Sequence, residues 1–202
     1  MSPAVASKRP VAYALLLILA GVVGVYSSFV LVLDRIELLR NPGESLGCDV
    51  NPFVSCGTVI ESWQGSLFGF PNPLIGVAAF VAPVAVGVGL LAGARFARWF
   101  WALFLLGLAL AWVFVTWLFT QTVFSIGTLC PWCMLVWAVT IPLFWISLVY
   151  LSARGFAPTS RGLRRLATAA LPYTWAIVVV NYAVIVLVIL AVFPRLPLVL
   201  FG

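Results

Sequence analysis

CPWCMLVWAVTIPLFWISLVYL, residues 130–151, decides the reading of this chain. It has no charged residue and is long enough to cross the ~30 Å hydrocarbon core of a bilayer as a helix, at ~1.5 Å per residue. It opens on a C-x-x-C, so a reactive-looking sulfur pair sits where a membrane span begins. Positions i and i+3 share a helix face. Pro131 is tolerated there because first-turn N–H groups have no intrahelical partner. The positive end of the helix dipole favours a thiolate. Phe124, Trp132 and Trp137 add an aromatic surround suited to an apolar electron acceptor.

Four more apolar runs lie outside this stretch, which itself reads as a span over about 127–151. They cover about 11–33, 74–93, 99–120 and 172–193. Backbone polar groups in lipid must be satisfied internally, so each run reads as a helix, and Pro83 and Pro142 are tolerated as kinks. The whole chain is 64% hydrophobic and 8% charged, with a mean hydropathy of +1.20. Soluble domains carry roughly 25% charged residues, so a soluble helical domain is excluded. The first run follows Lys8 and Arg9 as a signal peptide would, but it exceeds the ~7–15 residues of a signal h-region and ends without a small-residue cleavage pattern. It reads as a retained helix. The fold class is therefore an all-α integral membrane protein: a four-helix transmembrane bundle plus a fifth transmembrane helix, with an outer capping loop.

Charge sets the orientation. Lys8, Arg9, Arg95, Arg98, Arg154, Arg161, Arg164 and Arg165 fall on one side; Arg35, Arg40 and Arg195 fall on the other with all five acids. The basic side is cytoplasmic by the positive-inside rule. The N-terminus is then cytoplasmic, and the C-terminus and all four cysteines are extracytoplasmic. The net charge of +6 is topological; no basic run is interleaved with aromatics, and no nucleic-acid partner is expected. The organisation reads as a core over 1–151 with an outer loop at 34–73, a basic cytoplasmic loop at 152–171, and a fifth helix with a short outer tail at 172–202. Within the outer loop, 57–68 reads either as a short amphipathic helix on the bilayer surface or as a plain connection with interfacial aromatics.

The four cysteines are Cys48, Cys56, Cys130 and Cys133. Disulfides persist in oxidising compartments, and exchange needs direct sulfur contact, so a mobile outer pair has a mechanical use. Two structural disulfides would use the same residues, although a bridge within one helical turn closes too small a loop to stabilise much. A zinc or iron–sulfur site favours two close pairs, which the Cys48–Cys56 spacing does not supply. The chain has no histidine, which removes His-ligated haem and His general bases. No metal is expected.

Cys48-Asp49-Val50, Ser55-Cys56, Phe70-Pro71-Asn72-Pro73-Leu74-Ile75-Gly76 and Cys130-Pro131-Trp132-Cys133 together resemble the vitamin K epoxide reductase family in its bacterial form, over about residues 10–151. The resemblance implies a quinone-dependent thiol–disulfide oxidoreductase supporting disulfide bond formation. Cys130 and Cys133 would be the active-site pair, with Cys133 next to the quinone. Cys48 and Cys56 would be the shuttle, Cys48 meeting the partner and Cys56 bridging to Cys130. Asn72 is similar to the asparagine that hydrogen-bonds a quinone carbonyl, although it also reads as an N-cap before Pro73. Ser62 and Ile60 would lie on the cap over the quinone, and Trp137 one turn below the C-x-x-C. Animal members carry tyrosine at the Trp137 position and phenylalanine at the Ile60 position, so quinone rather than epoxide is the expected substrate. Many bacterial members add a fused thioredoxin-like domain. Here the expected partner is a separate DsbA-like or thioredoxin-like protein, the acceptor is menaquinone or ubiquinone, and the location is a bacterial inner membrane. A DsbB-type oxidase places its C-x-x-C near the first span and fits less well. A disulfide-stapled scaffold or channel subunit without redox turnover is the non-enzymatic alternative.

Overall fold

The computed structural model describes residues 10–157 and 160–194. Lys8, Arg9, Pro158, Arg195 and the tail beyond Pro194 lie outside the described residues. The α-helices are α1 (Val11–Arg40), α2 (Cys56–Glu61), α3 (Pro73–Ala92), α4 (Arg98–Gln121), α5 (Pro131–Ala153), α6 (Arg161–Ala170) and α7 (Thr174–Val192). Five of them, α1, α3, α4, α5 and α7, are long and apolar enough to span a membrane. Leu19, Leu106, Leu110, Val180 and Leu187 are exposed on them. So many exposed large aliphatics, on helices whose few charges sit only near their ends, need lipid as solvent. The chain is a multi-pass membrane protein.

Helix α1 lies against α3 and α5, α4 against α5, and α7 against α5. The α1–α3 contact is close because glycines remove side chains from it: a Cβ on Gly21 would lie 2.6 Å from Val84 Cγ2, and one on Gly24 would lie 2.3 Å from Phe80 Cδ1. Such small residues let membrane helices pack by dispersion where the hydrophobic effect offers nothing. Leu17, Phe80, Trp101, Leu108, Leu143 and Leu151 fill the resulting core. Helix α7 is fastened by polar contacts. Asn181 Oδ1 accepts from Trp145 Nε1 at 3.2 Å and Trp112 Nε1 at 3.4 Å, and the Tyr182 hydroxyl donates to the Ala138 carbonyl.

Several boundaries differ from the sequence reading. Helix α1 does not stop near residue 33 but continues to Arg40, because Asp34, Arg35 and Glu37 end the apolar run without ending the helix. The outer segment therefore begins at Asn41. Residues 57–68 do not form one helix. The chain breaks at Ser62 (ψ 152°), between α2 and a 3₁₀ turn over Trp63–Ser66. The segment 152–171 is not a plain loop, since it contains α6, which has no buried residue and presents Leu163 and Leu166 beside Arg161, Arg164 and Arg165. This is the composition of a helix lying at a membrane interface. Helices α3 and α5 continue through Pro83 and Pro142. Residues 127–130 are non-helical, and α5 begins at Pro131.

Candidate active site

Cys130 is the N-cap of α5, and Pro131 is its first residue. Its sulfur accepts the Cys133 N–H at 3.4 Å. The Cys133 thiol hydrogen bond outweighs burial and, with the N–H groups of Cys133 and Trp132, holds the Cys130 thiol below its ordinary value. Hydrogen bonds to the charged form favour it.

The partner sulfur arrives by a backbone device. Val54 forms a parallel bridge with Leu129: the Ser55 N–H donates to the Leu129 carbonyl at 2.9 Å, and the Leu129 N–H donates to the Phe53 carbonyl at 2.8 Å. Cys56 directly follows Ser55, and Cys130 directly follows Leu129. Their sulfurs lie 3.5 Å apart, both fully buried. Cys48 and Cys56 are disulfide-bonded, while Cys130 and Cys133 are free. The outer pair is therefore not equally mobile at both ends. Cys56 is pinned against α5, and only Cys48, in the loop, is half-buried.

Asp49 ties the loop to α2. Its Oδ1 accepts from the Ser55 hydroxyl at 2.7 Å, the Cys56 N–H at 2.8 Å and the Gly57 N–H at 3.1 Å, and its Oδ2 accepts from the Leu46 N–H at 2.8 Å. Burial pushes the pKa of this carboxyl up, but these hydrogen bonds together outweigh it, so it titrates below the ordinary carboxylate range. A depressed carboxylate contributes stability above its unfolded value and loses it as pH falls through the folded one. Acidification should therefore loosen the 46–57 segment before the spans respond. Asp49→Ala should cost about 1–2 kcal/mol locally by stranding amide donors. Amide exchange at Cys56 and Gly57 checks both; unchanged protection in the variant would deny Asp49 this role.

A cavity of about 380 Å³ opens below the cysteines, among α1, α3, α4 and α5. Small-molecule sites run from ~300 to 1,000 Å³ and are mostly apolar with a few polar groups. Phe80, Leu108 and Val115 give the apolar wall; Cys133 and Trp137 line it from α5 and Ile60 from the cap. Trp137 is buried edge-on to Phe119 at 5.3 Å. Asn72 also lines the cavity, but its side chain makes no cap hydrogen bond to α3. Its Nδ2 donates to the Gln64 carbonyl at 2.6 Å, and its Oδ1 accepts from the Leu67 N–H at 3.1 Å. It thus ties the 3₁₀ turn to the start of α3. Ser62 is not among the lining residues; its hydroxyl donates to the Val59 carbonyl at 2.7 Å and accepts from the Gly65 N–H.

Sequence reading passed over three groups here. Gln64 and Gln121 both line the cavity, and Gln64 Nε2 donates to Gln121 Oε1 at 3.4 Å and Ser125 Oγ at 3.2 Å. Arg35 lines it too, and its Nε is buried without a hydrogen-bond partner. An amide closing a long apolar run was the available signal for Gln121. In the sequence Arg35 reads only as a topological charge.

Residues 15–148 match the model of the vitamin K epoxide reductase family. The chain belongs to the vitamin K epoxide reductase family. A search of the curated proteins finds no match. The match spans α1 to α5 nearly end to end and includes every cysteine. Membership in the vitamin K epoxide reductase family implies a quinone-linked thiol oxidoreductase with a thiol-protein partner.

Proposed function

We propose that this protein passes electrons from the dithiol of a separate DsbA-like extracytoplasmic protein to menaquinone or ubiquinone, through Cys48/Cys56 and then Cys130/Cys133. The observation that carries the reading is the 3.5 Å contact between Cys56 and Cys130, with Cys133 lining a quinone-sized apolar cavity. The partner dithiol reduces the Cys48–Cys56 bond. Cys56 thiolate attacks Cys130 of an oxidised inner pair, forming Cys56–Cys130 and releasing Cys133 thiolate. Cys48 then attacks Cys56, restoring the loop disulfide and releasing Cys130 thiolate. The quinone accepts the two electrons and two protons that leave when Cys130–Cys133 re-forms. The arrangement of one loop disulfide and two inner thiols is the electron-loaded state of that cycle. A scaffold stapled by two independent disulfides is disfavoured, because one sulfur of each pair, Cys56 and Cys130, lies 3.5 Å from the other, within reach for exchange.

Cavity size and lining support Asn72, Ile60 and Trp137 as quinone contacts; Ser62 acts one step back, shaping the cap turn. In this reading the membrane is the bacterial inner membrane, with the cysteines outside. The test is quinol formation by purified protein in nanodiscs, supplied with a reduced DsbA-like protein. Absence of quinol with every quinone tried would sink the proposal. Asn72→Ala is expected to raise the quinone concentration for half-maximal rate up to about tenfold, since a neutral hydrogen bond is worth ~0.5–1.5 kcal/mol net. An unchanged quinone titration with a lowered melting temperature would leave Asn72 only its tie to Gln64 and Leu67.

A further inference from the structure

Helix α1 outlasts its apolar run, and its last turns bring a carboxylate to the sulfurs. Leu31, Asp34 and Leu38 fall on one helix face at spacings of three and four. Leu31 and Leu38 are buried in the cluster that holds Cys56 and Cys130. Asp34 therefore faces that cluster too, and its Oδ2 lies 3.8 Å from Cys48 Sγ. The carboxylate and the sulfurs of Cys48 and Cys56 all lie within 4.8 Å of one another. In the disulfide, Cys48 carries no proton, so this contact is not yet a hydrogen bond. It becomes one when the bond is reduced.

We propose that Asp34 is the general base for Cys48, taking the Cys48 proton as that thiol closes the loop disulfide. This step rests on the relay proposed above. Cys48 thiol attacks Cys56 of the Cys56–Cys130 mixed disulfide. The Cys48–Cys56 bond forms, the Cys56–Cys130 bond breaks, the electron pair leaves on Cys130 sulfur, and the proton passes to Asp34. No further oxidant is required. The structure has the geometry of the products: Cys48 bonded to Cys56, Cys130 released but still 3.5 Å from Cys56, and Asp34 beside Cys48. Asp34 is half-buried, so the proton has a path to outer water. The charged and titrating groups around it are Asp49 from the loop, Cys56 from α2, Cys130 at the start of α5, and Arg35 and Glu37 on α1 itself.

Two measurements on the full-length protein in nanodiscs test this, because a base and a structural prop affect them differently. The first is closure of Cys48–Cys56 in fully reduced protein after mixing with quinone, followed by acid quench, alkylation and mass spectrometry. Asp34→Asn should slow closure roughly a hundredfold near pH 6, with the deficit shrinking as pH rises, since positioned bases contribute ~10²–10⁴-fold. In Asp34→Ser, added acetate should restore part of the rate. The second is iodoacetamide alkylation of Cys48 in reduced protein without quinone. Removing a nearby negative charge eases thiolate formation, so alkylation should accelerate about tenfold in both variants, one pKa unit. Slower closure with faster alkylation supports the base. Closure at the parental rate and pH profile, or alkylation unchanged in either variant, overturns it. Lack of quinol from the unchanged chain would count against the relay instead, and the alkylation measurement would still read Asp34.

Discussion

Cys133→Ser is expected to lower quinone reduction on the order of a thousandfold or more, comparable to deleting a catalytic nucleophile. Cys133 lines the cavity while Cys130 does not, so the variant removes the sulfur nearest the acceptor and leaves no inner disulfide to form. Cys130→Ser should be equally severe for a different reason. Cys130 is the sulfur 3.5 Å from Cys56, so its loss cuts the relay between the pairs. In Cys130→Ser the loop disulfide should remain reducible by the partner; in Cys133→Ser, Cys130 thiolate can still attack Cys56 of the loop disulfide, forming Cys56–Cys130 as Cys48–Cys56 breaks and Cys48 leaves as the thiol, so a fraction of Cys56–Cys130 mixed disulfide should be found. Non-reducing mass mapping separates the two. Cys48→Ser should block the protein partner and retain small-dithiol turnover well above that of Cys133→Ser. It should not reach the parental level, since Cys130 is fully buried beneath Cys56. Parental quinone reduction by Cys133→Ser would end the proposed relay.

Gly87→Ala is expected to destabilise the bundle by about 1–3 kcal/mol, and larger side chains more, through over-packing. A Cβ there would lie 2.7 Å from the Ala14 carbonyl oxygen and 2.7 Å from Ile18 Cγ1. The first neighbour is backbone of α1 and cannot rotate aside. Helix propensity acts in the other direction, at ~1 kcal/mol in favour of alanine, so the measured sign shows which effect wins. Gly162, with nothing within 4 Å of its would-be Cβ, is the control. Gly162→Ala should be neutral or stabilise α6 by up to ~1 kcal/mol. Denaturation of both variants in one detergent decides it. A Gly87→Ala protein as stable as the parent would mean that the α1–α3 contact relaxes freely.

The spans were legible in the sequence because a bilayer leaves the backbone no alternative to internal hydrogen bonding. The cysteine pair at the head of α5 was legible as well: Pro131 is well tolerated in a first turn, and positions 130 and 133 share a face wherever that turn forms, although the apolar run reads from about 127 and the helix begins at Pro131. Hydropathy measures solvent preference rather than helicity. It therefore closed α1 at the charges near residue 34, although Asp34 and Arg35 continue the helix to Arg40, and it passed over α6, whose arginines and leucines average to an unremarkable loop. The tertiary structure alone decided the sulfur geometry. Cys56 and Cys130 are 74 residues apart, and the bridge between Val54 and Leu129 that brings them to 3.5 Å is made of backbone groups, which no side-chain pattern reports. The same holds for Asp34, which reads as a topological charge until the face it shares with Leu31 and Leu38 is packed against the cysteines. Local spacing selected the helices, whereas the contacts among residues distant in sequence set which sulfurs and which carboxylate can exchange a bond or a proton.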